Sequence, residues 1–200
     1  MTYFEYIFHC KKLPTRLTLH SIASHFFETK DLSKFNFKVF QEGKLVKILT
    51  DHQVEKEFSV ELTDKKGVPF ECKLFKVKEH DAETYEKGDE VTISGIIEYG
   101  MNIGTGKRCP IFLGKFKDES LRTHFKSHIE NILGVKIPDM SRDYFSRLES
   151  EIADDHIHFN NLLDMDLPVI VENPVLFNQV SFKSFFQKKS YGFGNLEVIA

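Results

Sequence analysis

Thr2-Tyr3-Phe4-Glu5-Tyr6-Ile7-Phe8-His9-Cys10, Lys11-Lys12-Leu13-Pro14, and then Thr15-Arg16-Leu17-Thr18-Leu19-His20-Ser21-Ile22-Ala23-Ser24-His25-Phe26-Phe27 decide the fold. In the first run Phe4, Tyr6 and Phe8 recur at period two, so one face of a strand is apolar. Pro14 interrupts it. From Thr15 to about Thr29, Leu19, Ile22, Ala23 and Phe26 share one arc at ~100° per residue, the mark of an amphipathic helix. Phe35 to Phe40 and Leu45 to Leu49 then read as two strands joined at Gly43. Strand, helix, strand, strand opens an α+β ferredoxin-like domain.

Further along, Phe58, Val60 and Leu62 alternate, as do Phe70, Cys72 and Leu74, and Lys65-Lys66-Gly67 between them signals a hairpin. His80 to Asp89 is charged and poor in large apolar residues, which puts a domain boundary there. Val91 to Ile97 is a strand, Gly100 to Gly106 a glycine-punctuated loop ending in Lys107-Arg108, and Cys109 to Leu113 extended again. Asp118 can cap a helix with Leu121, Phe125, Ile129, Ile132 and Leu133 on its buried stripe and Gly134 as its stop. Ser141 to Ile152 is expected as a shorter helix and Leu167 to Val171 as a strand. Asn173-Pro174 is a capping pair that favours helix over Val175 to Gln187, and a last strand follows. The expected architecture is two tandem ferredoxin-like (RRM-like) domains, residues 1–84 and 85–200, ending in a glycine-rich loop.

Composition limits the function. The net charge of −3 argues against a protein that grips nucleic acid with its whole surface, since phosphate neutralisation supplies most nonspecific affinity. Charge is uneven, however. Lys183, Lys188 and Lys189 meet no acidic residue between Glu172 and Glu197, whereas Glu149, Glu151, Asp154 and Asp155 cluster. Twenty phenylalanines and no tryptophan place most aromatic mass in the core. Cys10, Cys72 and Cys109 form no paired motif, there is no leader-like start, and no apolar run nears the ~18 residues of a membrane span. A reduced, cytoplasmic protein is expected.

Chemistry concentrates in two places. Lys188-Lys189-Ser190-Tyr191-Gly192-Phe193-Gly194-Asn195-Leu196 joins cations and a hydroxyl to two glycines that let backbone approach a ligand closely. His20 sits at the edge of the first helix's buried arc, where an imidazole titrates near neutrality. An ordinary surface histidine is the alternative.

These segments carry a resemblance. Leu19-His20 with His25-Phe26 resembles the first helix of the E-type CRISPR repeat endoribonucleases, the CasE branch of the RAMP superfamily. Lys107-Arg108-Cys109-Pro110-Ile111 resembles that family's central basic hairpin, and Ser190-Tyr191-Gly192-Phe193-Gly194-Asn195-Leu196 resembles its glycine-rich ending. The family tyrosine three residues before the histidine is Leu17 here, and Ser184-Phe185-Phe186 replaces the glycines that open the final loop. Strands between Asp51 and Val77 stand where the first domain's second helix is expected.

The resemblance implies metal-independent and cofactor-free cleavage of CRISPR repeat hairpin RNA by attack of its own 2′-hydroxyl, leaving a 2′,3′-cyclic phosphate. His20 would be catalytic, with Lys189 or Lys188 stabilising charge on the phosphorane. Lys107, Arg108, Lys183, Lys188, Ser190, Gly192 and Gly194 would bind RNA. It also implies that the product stays bound and that other subunits of a Cascade-type effector complex are partners, with no membrane role. Three other readings compete: a noncatalytic RNA-binding subunit of the same fold, a purely structural subunit, and a metal enzyme using His124 with His128 or His156 with His158.

Overall fold

The computed structural model describes residues 1–54, 59–63, 69–98, 100–103, 107–110, 119–147, 151–154, 157–159, 162–186, 192 and 194–199. β1 (Thr2–Cys10) turns Phe4, Tyr6, Phe8 and Cys10 toward α1 (Arg16–Phe26), which buries Leu19, Ile22, Ala23 and Phe26 against them. Thr15 caps α1 reciprocally with Thr18: each side chain accepts from the other's backbone N–H at 3.3 Å. β2 (Phe37–Glu42) and β3 (Leu45–Thr50) form a hairpin around Gly43, whose φ of +58° suits glycine. β4 (Ser59–Thr63) pairs with β5 (Pro69–Asp81), and the antiparallel sheet runs β2-β3-β1-β5-β4. Its first four members keep the ferredoxin order, while β4 takes the chain position of the second helix and extends the sheet. The expected turn Lys65-Lys66-Gly67 lies outside the described residues.

The second half repeats the plan. β6 (Glu90–Glu98) is followed by a two-stranded ribbon, β7 (Gly100–Ile103) with β8 (Lys107–Pro110), then α2 (Glu119–Leu133) and the short β9 (Val135–Lys136). β10 (Phe145–Arg147), the hairpin β11 (Glu151–Asp154) with β12 (Ile157–Phe159), and β13 (Leu162–Val171) come next. α3 (Pro174–Phe177), a 3-10 turn over Asn178–Ser181 and β14 (Glu197–Ile199) end the chain's elements. The main path is β10-β13-β6-β14, again the ferredoxin order. Phe125, Ile129 and Leu133 of α2 fill a second core with Ile93, Ile97, Leu163, Leu167 and Val169. The architecture is tandem ferredoxin-like α+β. Among the described residues no helix is long and apolar enough to cross a membrane.

Several expectations are corrected. Among the described residues of the stretch Ser141 to Ile152 there is no α-helix: a 3-10 turn over Arg142–Tyr144 leads into β10, where Phe145 pairs with Met165 and enters the second core while Ser146 faces out. Pairing with the edge of β13 overrides the local propensity. The glycine stretch from Gly100 is not all loop, since Gly100–Ile103 pairs with Lys107–Pro110. β13 begins at Leu162, five residues earlier than expected, with Asp166 on its exposed side. Helix after Asn173 lasts one turn; the cap is present, with Asn173 Oδ1 accepting from Leu176 N–H at 3.3 Å. His80 and Asp81 belong to β5 rather than to an interdomain stretch. Asp118 and Ile111 to Leu113 lie outside the described residues. Cys10 and Cys72, unpaired in the linear sequence, face each other across β1 and β5 as buried free thiols with Sγ atoms 3.4 Å apart.

Among the described residues, one junction between the halves is the segment that carries Ser184, Gly194, Asn195 and Leu196; the stacked rings of Tyr3 and Phe182 are another. β2 is the edge strand of the first sheet, and two of its outward carbonyls are taken by this segment. Ser184 N–H donates to Phe37 O at 3.2 Å, and Asn195 Nδ2 to Val39 O at 2.6 Å. Between them Lys38, 3% exposed, donates from Nζ to Leu196 O. On the other side Gly194 N–H donates to Ile96 O of β6 at 2.7 Å.

Burial holds the Lys38 ammonium down to about 8 from the ordinary 10.5, against the opposing pull of Glu197. A lysine with a lowered folded pKa costs stability in full below about pH 8, and that cost fades as pH rises toward 10.5. The stability of wild type relative to Lys38→Met, measured by urea unfolding, should therefore rise between those pH values, by up to about 3 kcal/mol. A flat difference would contradict the buried ammonium.

Candidate active site

α1 supplies the first wall of the site. Arg16 and His20 are four residues apart on it, so their side chains project from one face, with Cβ atoms about 5–6 Å apart. His20 is half-buried, as its position beside the apolar arc leads one to expect. His25 is exposed and turned back on its own helix, Nδ1 lying 3.2 Å from Ser21 O. The backbone of β11 runs beside α1, the helix carrying His20.

The second wall is the glycine turn. Gly192 and Gly194 have φ of +83° and +73°, a left-handed conformation in which other residues are strained. Packing adds a second constraint. A methyl on Gly192 would stand 2.7 Å from Arg16 Nη1 and 3.3 Å from Val39 O; one on Gly194 would stand 2.8 Å from Phe186 Cβ and 2.9 Å from Ser184 Oγ. The close approach that glycine permits is thus to other parts of the chain. Gly194 spends its N–H on Ile96 O and its carbonyl on Ser184 Oγ, at 2.7 Å each, so it shapes the turn. Asn195 bridges the turn, donating from Nδ2 to Gly192 O at 3.4 Å as well as to Val39 O, while its Oδ1 is buried without a partner.

The remaining expected residues stand on other elements or lie outside the described residues. Lys183 donates from Nζ to Gln179 Oε1 at 2.9 Å and lies 5.2 Å from the centre of the Phe185 ring, one residue before the Ser184 anchor. Lys107 and Arg108 stand on β8, in register with Ile103 and Asn102 of β7, so they belong to a paired ribbon rather than a loop tip. Lys188, Lys189 and Ser190 lie outside the described residues. Arg16 and Lys38 were missed by sequence reasoning. Arg16 leaves a signal only in its spacing to His20, whereas a lysine inside a strand reads as solvent-facing.

The metal-site readings find little to join. His124 and His128 are largely exposed on α2, and partial desolvation of the His128 ring, followed by the neighbouring His124, lowers the pKa of His128. His156 lies outside the described residues. Among the described residues no group of three or more His, Cys, Asp and Glu side chains could hold a metal ion.

No family model matches this chain, and no curated protein matches it either. Solved structures do. The chain superposes on CRISPR endoribonuclease Cse3 bound to a 19-nucleotide RNA with a TM-score of 0.62 at 11% identity, covering 100% of both chains. A Thermus thermophilus Cse3 bound to an RNA representing a pre-cleavage complex gives 0.60 at 11% identity, over 98% of this chain and 99% of that one. The CRISPR-associated protein Cas6e from Escherichia coli K-12 gives 0.58 at 14% identity, over 99% and 98%. The likeness spans both domains and establishes a shared fold.

The packing around the two glycine turns yields a direct comparison. Gly194→Ala should destabilise the protein by about 1–3 kcal/mol in urea unfolding, because a left-handed φ and crowding by Phe186 and Ser184 act together. Gly43→Ala, with a left-handed φ but open space around it, should cost about 1 kcal/mol. Equal losses would remove the packing contribution.

Proposed function

We propose that this chain is a metal-independent endoribonuclease of the cytoplasm that cuts CRISPR precursor RNA at repeat hairpins and keeps the product as a subunit of a Cascade-type effector complex. Its two domains divide at residues 84 and 85. The observation that carries this reading is the junction of α1 with the glycine turn: His20 stands one helical turn from Arg16, and Gly192 packs against Arg16. That junction occurs in a fold shared end to end with RNA-bound Cse3.

The chemistry needs no group beyond the RNA and the protein. The 2′-hydroxyl on the 5′ side of the scissile bond attacks the adjacent phosphorus, its proton leaves, and the bond to the 5′-oxygen breaks as that oxygen takes up a proton. Products are a 2′,3′-cyclic phosphate and a 5′-hydroxyl, with no water consumed. His20 handles one of the two protons, a role suited to an imidazole of half-buried setting. Lys189 or Lys188 stabilises the phosphorane charge, and Ser190 and Gly192 contact the RNA backbone. Gly194 serves by holding the turn. Lys107 and Arg108 track stem phosphates from the β7–β8 ribbon, and Lys183 adds charge beside the anchor.

The test uses repeat-hairpin RNA from the CRISPR array of the source genome, incubated with the protein in EDTA. Wild type should give the cyclic phosphate and 5′-hydroxyl ends. His20→Ala should slow single-turnover cleavage by about 10²–10⁴-fold while leaving hairpin binding unchanged. Undiminished cleavage by the variant would remove His20 from the mechanism, and binding without cleavage by wild type would favour the noncatalytic subunit.

A further inference from the structure

We propose that Arg16 is a catalytic residue that grips the scissile phosphate and neutralises the charge that builds on it; this rests on the endoribonuclease reading above. Attack by the 2′-hydroxyl turns a singly charged phosphodiester into a phosphorane bearing extra negative charge. A fixed cation beside the proton carrier therefore lowers the barrier more than it tightens ground-state binding.

Three features single out Arg16. It stands one helical turn before His20 on the same face of α1, so a phosphate held by its guanidinium lies within the reach of the imidazole. It meets the glycine turn at Gly192, where a methyl would come within 2.7 Å of Nη1; glycine leaves the space that the guanidinium uses. The turn in turn is anchored on Val39 O through Asn195, which keeps this wall at a fixed distance from α1. Arginine also presents two parallel N–H donors to phosphate oxygens and keeps its charge at every working pH.

The experiment measures single-turnover cleavage of the same repeat-hairpin RNA in EDTA, and binding of a copy whose attacking nucleotide is 2′-deoxy. Arg16→Ala, shown by circular dichroism to be folded at the assay temperature, should lower the cleavage rate about 10²–10³-fold, with the affinity for the deoxy RNA changed less than threefold. Added guanidinium at millimolar concentration should restore part of the rate in Arg16→Ala and none in His20→Ala. Should Arg16→Ala prove unstable, Arg16→Gln, which keeps the apolar stem, carries the same test. Wild-type cleavage with undiminished cleavage by the Arg16 variants overturns the role of Arg16 alone. So does a loss that appears equally in deoxy-RNA affinity and is not rescued by guanidinium. A wild-type protein that leaves the RNA whole overturns the endoribonuclease reading, and Arg16's role falls with it.

Discussion

The free edge of β2 is the constraint on which the rest of this molecule depends. An edge strand presents unpaired carbonyls and N–H groups, and proteins must cover or charge them. Here the cover comes from the other domain. Ser184 N–H and the Asn195 amide satisfy Phe37 O and Val39 O, and the Lys38 ammonium reaches back to Leu196 O. Because Gly194 of the same segment hands its N–H to Ile96 on β6, the residues that cover β2 also reach the second sheet. Burying an ammonium is costly, and the hydrogen bond to Leu196 with the nearby Glu197 charge offsets only part of that cost.

The geometry of the candidate site follows from this joint. α1 is positioned by its own capping box and by four apolar residues on the first core. The glycine turn is positioned by the edge of β2, which belongs to the same sheet that α1 packs on. Helix and turn are therefore referenced to one rigid body although they come from opposite ends of the sequence. A side chain on either glycine would push the turn away from α1 or from Ser184 and Phe186.

How much of this could be read in the chain depended on whether a residue's role was local. β1 and α1 were legible because Phe4, Tyr6 and Phe8, and then Leu19, Ile22, Ala23 and Phe26, repeat at periods fixed by backbone geometry. The β4–β5 pairing was legible for the same reason. Phe145 was not, since only the waiting edge of β13 makes its segment a strand. Lys38 was invisible because a lysine alternating with Phe37 and Val39 looks like a solvent-facing position, yet distant Leu196 covers it. The glycines were recognised as special, but the crowding around them comes from other parts of the chain: Arg16, at the far end of the sequence, meets Gly192, while Ser184 and Phe186 meet Gly194. His20 was marked by its place on the wheel, whereas Arg16 acquires meaning only once Gly192 has been brought to it.

The bond from Lys38 to Leu196 spans 158 residues of chain. During synthesis at roughly 5–20 residues per second, the first sheet can assemble as soon as β5 has emerged, but its β2 edge stays open for many seconds until the closing segment leaves the ribosome. The nascent first domain thus passes through an interval in which a complete sheet carries an uncovered strand. Lysines at positions 34, 38, 44 and 47 keep that interval charged along and beside the open strand, which discourages pairing with a second nascent chain.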